Sequence, residues 1–192
     1  MKKTLKGLCA VAFAFVLLLG LTGCGEEKTN NGGGNTNQNN NGEYQGSTDG
    51  ANDLKNVTEK NYKAIAKSIF GVEIKDVSGW TLKEATSINK VNNFTIEYTV
   101  SNGETAKTVI EYYFNKCKSV SSDGIYSQGF GENYTVVKKT KYDDFESFYT
   151  AEATIIDPLY QGSWIYDNNG KSIQFIISIN STKADITFTL LG

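Results

Sequence analysis

The sequence predicts a two-layer α+β domain, about two helices packed on an antiparallel sheet of roughly five to seven strands, with a C-terminal β-meander. Three observations predict it. Phe94-Thr95-Ile96-Glu97-Tyr98-Thr99-Val100 alternates apolar and polar side chains, the period of a half-buried strand. The stretch after it changes period, and Ala106, Val109, Ile110, Tyr113, Phe114 and Cys117 fall on one helical stripe. Near the C-terminus, Trp164-Ile165-Tyr166 runs into Asp167-Asn168-Asn169-Gly170 and then into Ser172 to Asn180, which is hairpin spacing. A strand and an amphipathic helix each have one apolar face to hide, and packing one on the other hides both.

The elements follow in order from Leu54. A helix is expected from Thr58 to Phe70, with Thr58 as N-cap, Tyr62, Ile65, Ala66 and Ile69 on one face, and Gly71 as the terminating glycine. Val72 to Glu84 is ambiguous, with a Ser78-Gly79 break beside Trp80. The Phe94 strand comes next, then the Ser101-Asn102-Gly103 break and a helix over Glu104 to Lys118. Val120 to Asn133 reads as Ser/Gly-rich loop, with Ile125-Tyr126 as one short strand. Tyr134 to Lys138 and Phe148 to Ile156 read as further strands, the second closed by Asp157-Pro158. After the hairpin, Ala184, Ile186, Phe188 and Leu190 alternate with Asp185, Thr187 and Thr189 in a last strand. Residues 54–192 number 139, enough for one self-sufficient core.

Composition removes much of the usual enzyme chemistry. The chain has 192 residues and no His, and all 19 of its basic residues are Lys. Without His there is no Ser-His or Cys-His activated nucleophile and no His-ligated metal. Without Arg there is no bidentate clamp for phosphate or carboxylate. A net charge of −2 speaks against a nucleic-acid surface. The three cysteines, Cys9, Cys24 and Cys117, lie in different regions and form no disulfide framework.

The first 53 residues read differently from the rest. Lys2, Lys3 and Lys6 precede an unbroken apolar run of 12 residues, Leu8 to Leu19. A bilayer-spanning helix needs about 20 such residues, so the run suits a signal peptide. Leu21-Thr22-Gly23-Cys24 follows. This stretch resembles the lipobox of bacterial lipoproteins. The resemblance implies cleavage between Gly23 and Cys24, residues 1–23 being the signal peptide, and a diacylglyceryl thioether on Cys24. It places the domain on the extracytoplasmic face of the cell membrane, with the membrane as a partner through that lipid. Two acyl chains hold stably where one holds marginally. Residues 24–53 then form a tether: Gly25 to Asp53 has eight Asn, seven Gly and no Leu, Ile, Val, Phe or Met. Such a composition cannot offset the entropy of ordering, and as a coil it reaches about 30 Å. Cleavage removes three lysines and no acid, leaving 16 Lys against 21 acids, a net −5. The lipid, not general electrostatics, must therefore supply the attachment. Strand, helix and Gly-rich loop from 94 to 142 resemble modules of bacterial surface lipoproteins that bring no catalytic residue with them.

Candidate sites are few, and each has a plainer reading. Asp143, Asp144 and Glu146 could supply the carboxylate pair of a glycoside hydrolase, or form a solvated loop. Asp167-Asn168-Asn169-Gly170 has the Asp/Asn content of a calcium loop but lacks its spaced acids and closing Glu, and a turn using Asn-Gly for positive φ is favoured. Cys117 lies on an apolar stripe and reads as a buried, inert thiol. Aromatics are plentiful, with 11 Tyr, 10 Phe and 2 Trp. They serve either as core or as a binding surface, and Tyr160, Trp164 and Tyr166 are the binding-surface candidates. The expected function is thus a non-catalytic, membrane-anchored lipoprotein whose domain binds an extracytoplasmic ligand or envelope protein, without cofactor or metal. The alternatives are a carboxylate-dependent hydrolase acting on an envelope polymer, and a structural or assembly subunit.

Overall fold

The computed structural model describes residues 54–87, 92–101 and 105–191. The expected signal peptide, lipobox with Cys24 and tether lie outside the described residues.

A 3₁₀ turn at Leu54–Asn56 precedes helix α1, Tyr62–Phe70. Strands β1, Trp80–Thr86, and β2, Asn93–Val100, lead to helix α2, Ala106–Val120. Strands β3, Ile125–Phe130, and β4, Val136–Tyr142, lead to helix α3, Phe145–Glu152. The short β5, Thr154–Ile156, is followed by the meander of β6, Leu159–Asn168, β7, Lys171–Ile179, and β8, Lys183–Leu191. The strands form one antiparallel sheet in the order β1-β2-β8-β7-β6-β3-β4, with β5 also pairing with β6.

The α+β class and the C-terminal meander are as expected, while the inventory is larger: three helices and eight strands among the described residues. The largest correction is at Phe148 to Ile156, expected as strand. Asp144 caps a helix there, accepting from Ser147 N at 2.8 Å, and Phe145 and Phe148 bury one face at i, i+3 spacing. Only Thr154–Ile156 remains extended. Helix α1 begins four residues later than expected, because Thr58 and Asn61 close a preceding turn through Asn61 Oδ1, which accepts from Thr58 N at 2.7 Å. Its end is as expected: Gly71 takes φ +73° and its N–H donates to Lys67 O. A Cβ at Gly71 would lie 2.7 Å from Asn168 Nδ2, so this glycine also admits the neighbouring hairpin. The ambiguous Trp80 stretch is β1. Strand β3 extends the short Ile125-Tyr126 reading to Phe130, and β4 is displaced to 136–142 because Tyr134 ends a 3₁₀ turn.

The core is organised by an aromatic row that crosses four strands. Phe94, Phe188, Phe175 and Trp164 are successive register partners on β2, β8, β7 and β6. Their ring centroids are 5.9, 4.9 and 4.6 Å apart, and all four are fully buried. Each helix sets a ring on this row. Phe70 of α1 stacks 4.7 Å from Phe188, Tyr113 of α2 lies 5.4 Å from Phe175, and Phe148 of α3 meets Trp164 edge-on at 5.4 Å. Helix α2 connects β2 to β3 across the breadth of the sheet, which is why its buried stripe is long.

The opposite face of the sheet is polar. Thr95 and Thr187 hydroxyls pair across β2 and β8 at 3.1 Å, Asn93 Nδ2 donates to Thr189 Oγ1 at 3.1 Å, and Gln174 donates to Gln128. One face covered by helices and one face wet is the usual arrangement of an antiparallel sheet.

Candidate binding groove

The expected surface candidates separate. Trp164 and Tyr166 are fully buried, so neither belongs to a binding surface. The physical reason is position along the strand: Tyr160, Trp164 and Tyr166 share one face of β6, but helices cover only the last two. There Trp164 continues the aromatic row and the Tyr166 hydroxyl donates to Phe70 O at 2.8 Å, while Tyr160 lies at the strand's start. Tyr160 is half-buried and lines a groove of about 290 Å³, at the small end of the roughly 300–1,000 Å³ typical of ligand sites.

Five chain segments build the groove, one of them the start of α2 through Ala106. The Asp157-Pro158 loop joins β5 to β6 and brings Tyr160, which pairs with Ile155 on one side and Ile179 on the other. The β7–β8 turn supplies Asn180 and Ser181. Asn180 Oδ1 accepts from Thr182 N at 2.9 Å and Lys183 N at 2.8 Å, which sets that turn. The start of β1 gives Trp80 and the end of β2 gives Val100, register partners tied together where Ser101 N and Oγ both donate to Gly79 O at 2.9 Å. Trp80 is half-buried and rests on Tyr98, centroids 5.4 Å apart, which fixes its ring from beneath.

The lining therefore combines two partly exposed aromatic rings with one carboxylate, Asp157, the amide of Asn180 and the hydroxyls of Ser101 and Ser181. No lysine lines it. The neighbouring cation, Lys183, is engaged by Glu97 at 2.9 Å and Asp185 at 3.1 Å. Sequence reasoning reached Tyr160 and passed over Trp80, Asp157 and Asn180. Each of these stands beside a turn, Gly79-Trp80, Asp157-Pro158 and Asn180-Ser181, and only the fold brings the turns together.

The acidic cluster is not part of the groove, and its members do different work. Asp144 is the cap of α3, accepting from Ser147 N and Ser147 Oγ at 2.8 Å each. Those bonds, the backbone one foremost, hold its carboxyl below the usual range. Glu146 pairs with Lys107 at 2.7 Å, and Asp143 is exposed, its carbonyl accepting from Lys118. In the Asp167-Asn168-Asn169-Gly170 stretch, the Asp167 carboxylate is taken by Ser172 and Lys138. Asn169 and Gly170 have φ +50° and +74°, as a two-residue hairpin turn requires. No group of three or more metal-ligating side chains occurs among the described residues. Cys117 is fully buried on the core stripe of α2, and burial pushes its thiol well above the ordinary value. No helix among the described residues is long and apolar enough to cross a membrane. No protein-family model, no curated protein and no solved structure matches this chain, so the chemistry of the groove is read from its own residues.

Proposed function

We propose that the chain is a membrane-anchored, extracytoplasmic lipoprotein, held by lipid on Cys24, whose domain binds an envelope glycan in the groove at the start of β6. The observation that carries the binding half is the lining: Trp80 and Tyr160 rings beside Asp157, Asn180 and serine hydroxyls, with no cation among the described residues. Aromatic faces pack on the C–H faces of sugar rings, while carboxylate, amide and hydroxyl groups take up sugar hydroxyls. A cation-free lining with one carboxylate disfavours anionic ligands. Among the described residues the lining supplies one acid, whereas carboxylate-driven glycoside cleavage uses two about 5–10 Å apart, which supports binding over hydrolysis.

Two measurements test this. Metabolic labelling with a fatty-acid analogue should mark the wild type and not Cys24→Ala, and the variant should leave the membrane fraction. Soluble wall-glycan fragments should perturb the fluorescence of Trp80, the half-exposed indole, while Tyr160→Ala weakens the response about tenfold, the equivalent of one lost aromatic contact of about 1.4 kcal/mol. A response that survives both Trp80→Phe and Tyr160→Ala would place the ligand elsewhere. Glycan turnover by the purified protein would replace binding with catalysis.

A further inference from the structure

All five large apolar side chains that are exposed among the described residues belong to two segments beside one edge of β6. Phe130, Tyr134 and Val137 are on the β3–β4 hairpin, and Ile155 and Ile156 are β5. The hairpin leaves the sheet for a clear reason. Strand β3 pairs with β6 only at Tyr126 and Ile165, and farther along that edge β5 already occupies Leu159 to Gln161. From Ser127 onward the backbone ladder of the hairpin is internal to it. The side chains of Gln128 and Lys138 still reach Gln174 and Asp167, and the tip beyond them projects.

Its tip is built, and it is built around an exposed aromatic. Gly131 N donates to Thr135 O at 2.8 Å, and Thr135 returns its N–H and hydroxyl to Glu132 O at 3.2 and 2.8 Å. Asn133 and Tyr134 both sit in the left-handed region, at φ +56° and +58°. For a bulky residue such as Tyr134 that conformation is strained, yet its side chain is 90% exposed and Phe130 is 61% exposed. Core packing does not explain this strain. Behind the tip, the stem is braced and lysine-rich: Lys138 is held by Asp123 and Asp167, Lys141 is exposed and lies 3.6 Å from Asp123, and Lys139 is exposed. Glu132 is the one acid at the tip itself.

We propose that this hairpin is a second membrane contact, its Phe130, Tyr134 and Val137 tip seating at the headgroup–acyl boundary of an anionic bilayer with Lys139 and Lys141 at headgroup level. Aromatic tips backed by lysines match the polarity gradient of that boundary. The proposal rests on the lipid anchor proposed above. Residues 24 to 54 span at most about 100 Å at full extension, so an anchored domain stays within reach of the bilayer, and a weak contact becomes effective at that local concentration. A second copy of the chain is the poorer occupant. Antiparallel pairing of two β4 edges would bring Lys138, Lys139 and Lys141 of each copy together. Antiparallel register also runs β3 from Ile165 toward the end of β6 that carries Tyr160, so tip and groove share one end of the sheet. Seating the tip turns the groove toward the membrane surface.

The test places an indole at the tip with Tyr134→Trp in a Trp80→Phe background, and a distant control with Lys171→Trp at the β6–β7 turn. The full lipidated chain is reconstituted in phosphatidylglycerol–phosphatidylethanolamine vesicles with brominated acyl chains. Tyr134→Trp should give blue-shifted emission quenched at least about twofold more than Lys171→Trp, as for a side chain at the interface. Equal quenching at the two positions, in protein whose Cys24 carries labelled lipid, overturns the hairpin contact and leaves the anchor standing. If Cys24 carries no lipid, the anchor fails separately. The Cys24→Ser chain mixed with excess vesicles then decides the hairpin, and absence of quenching at position 134 overturns it. Melting temperatures equal to wild type confirm that both exposed substitutions leave the fold intact.

Discussion

The indole of Trp164 covers Gly162, its neighbour on the same face of β6: a Cβ at Gly162 would lie 3.0 Å from Trp164 Cζ3 and 3.1 Å from Ile110 Cγ2. Strand and helix α2 approach each other closely here because one residue has no side chain. Gly162→Ala should therefore destabilise the domain by about 1–3 kcal/mol, the cost of overpacking a dense core. Denaturant unfolding reads this directly, and an unchanged midpoint would mean the indole moves aside freely.

Trp164 and Tyr160 should behave oppositely on truncation. Trp164→Ala empties the junction of sheet, α2 and α3, and is expected to cost about 3–5 kcal/mol, a large share of a typical domain's total. Tyr160→Ala removes a half-buried ring and should cost under about 2 kcal/mol while abolishing most glycan binding. Paired unfolding and binding curves check both. Equal destabilisation would assign Tyr160 to the core.

Cys117 should be inert in the native state. Its sulfur is fully buried, and burial holds the thiol protonated far above neutral pH, so neither access nor thiolate is available. In a Cys9→Ser, Cys24→Ser chain, a thiol-specific reagent should label Cys117 only at the rate of unfolding. Labelling at the denatured-chain rate would contradict the packing of α2.

Asp144 should contribute to the acid limb of stability. Its folded-state carboxyl is held low chiefly by the Ser147 N–H, so its contribution is fully present above the ordinary carboxylate range and fades as pH falls through the lowered value. Carboxyl resonances followed by NMR should give Asp144 a midpoint below those of free aspartates. Asp144→Ala should shallow the acid-induced loss of stability and lower the helical signal, and an unaltered acid limb would count against the cap.

Much of the fold was legible because local signals and tertiary structure agreed. The alternation at Phe94 to Val100, the stripe ending at Cys117 and the Asn169-Gly170 turn all depend on neighbours in sequence. Helix α3 was missed because Phe148 and Tyr149 have high strand propensity, and the capping Asp144 read as one of three clustered acids. The groove was half legible. Tyr160 was visible as an aromatic, but it shares a face of β6 with Trp164 and Tyr166. Its separation from them depends on how far along the strand the helices reach, which is set by non-local packing. Trp80, Asp157 and Asn180 are far apart in sequence and adjacent only through the sheet order.

The sheet order also dictates when this domain can form. The last strand described, β8, lies in the interior of the sheet between β2 and β7, and Phe188 is the ring that joins Phe94 to Phe175. A chain emerging from its N-terminus first therefore displays β2 and β7 as two unjoined halves until β8 is free. Assembly must wait for residues 183–191, and any chain stopped before Lys183 is left with two raw edges and a split core.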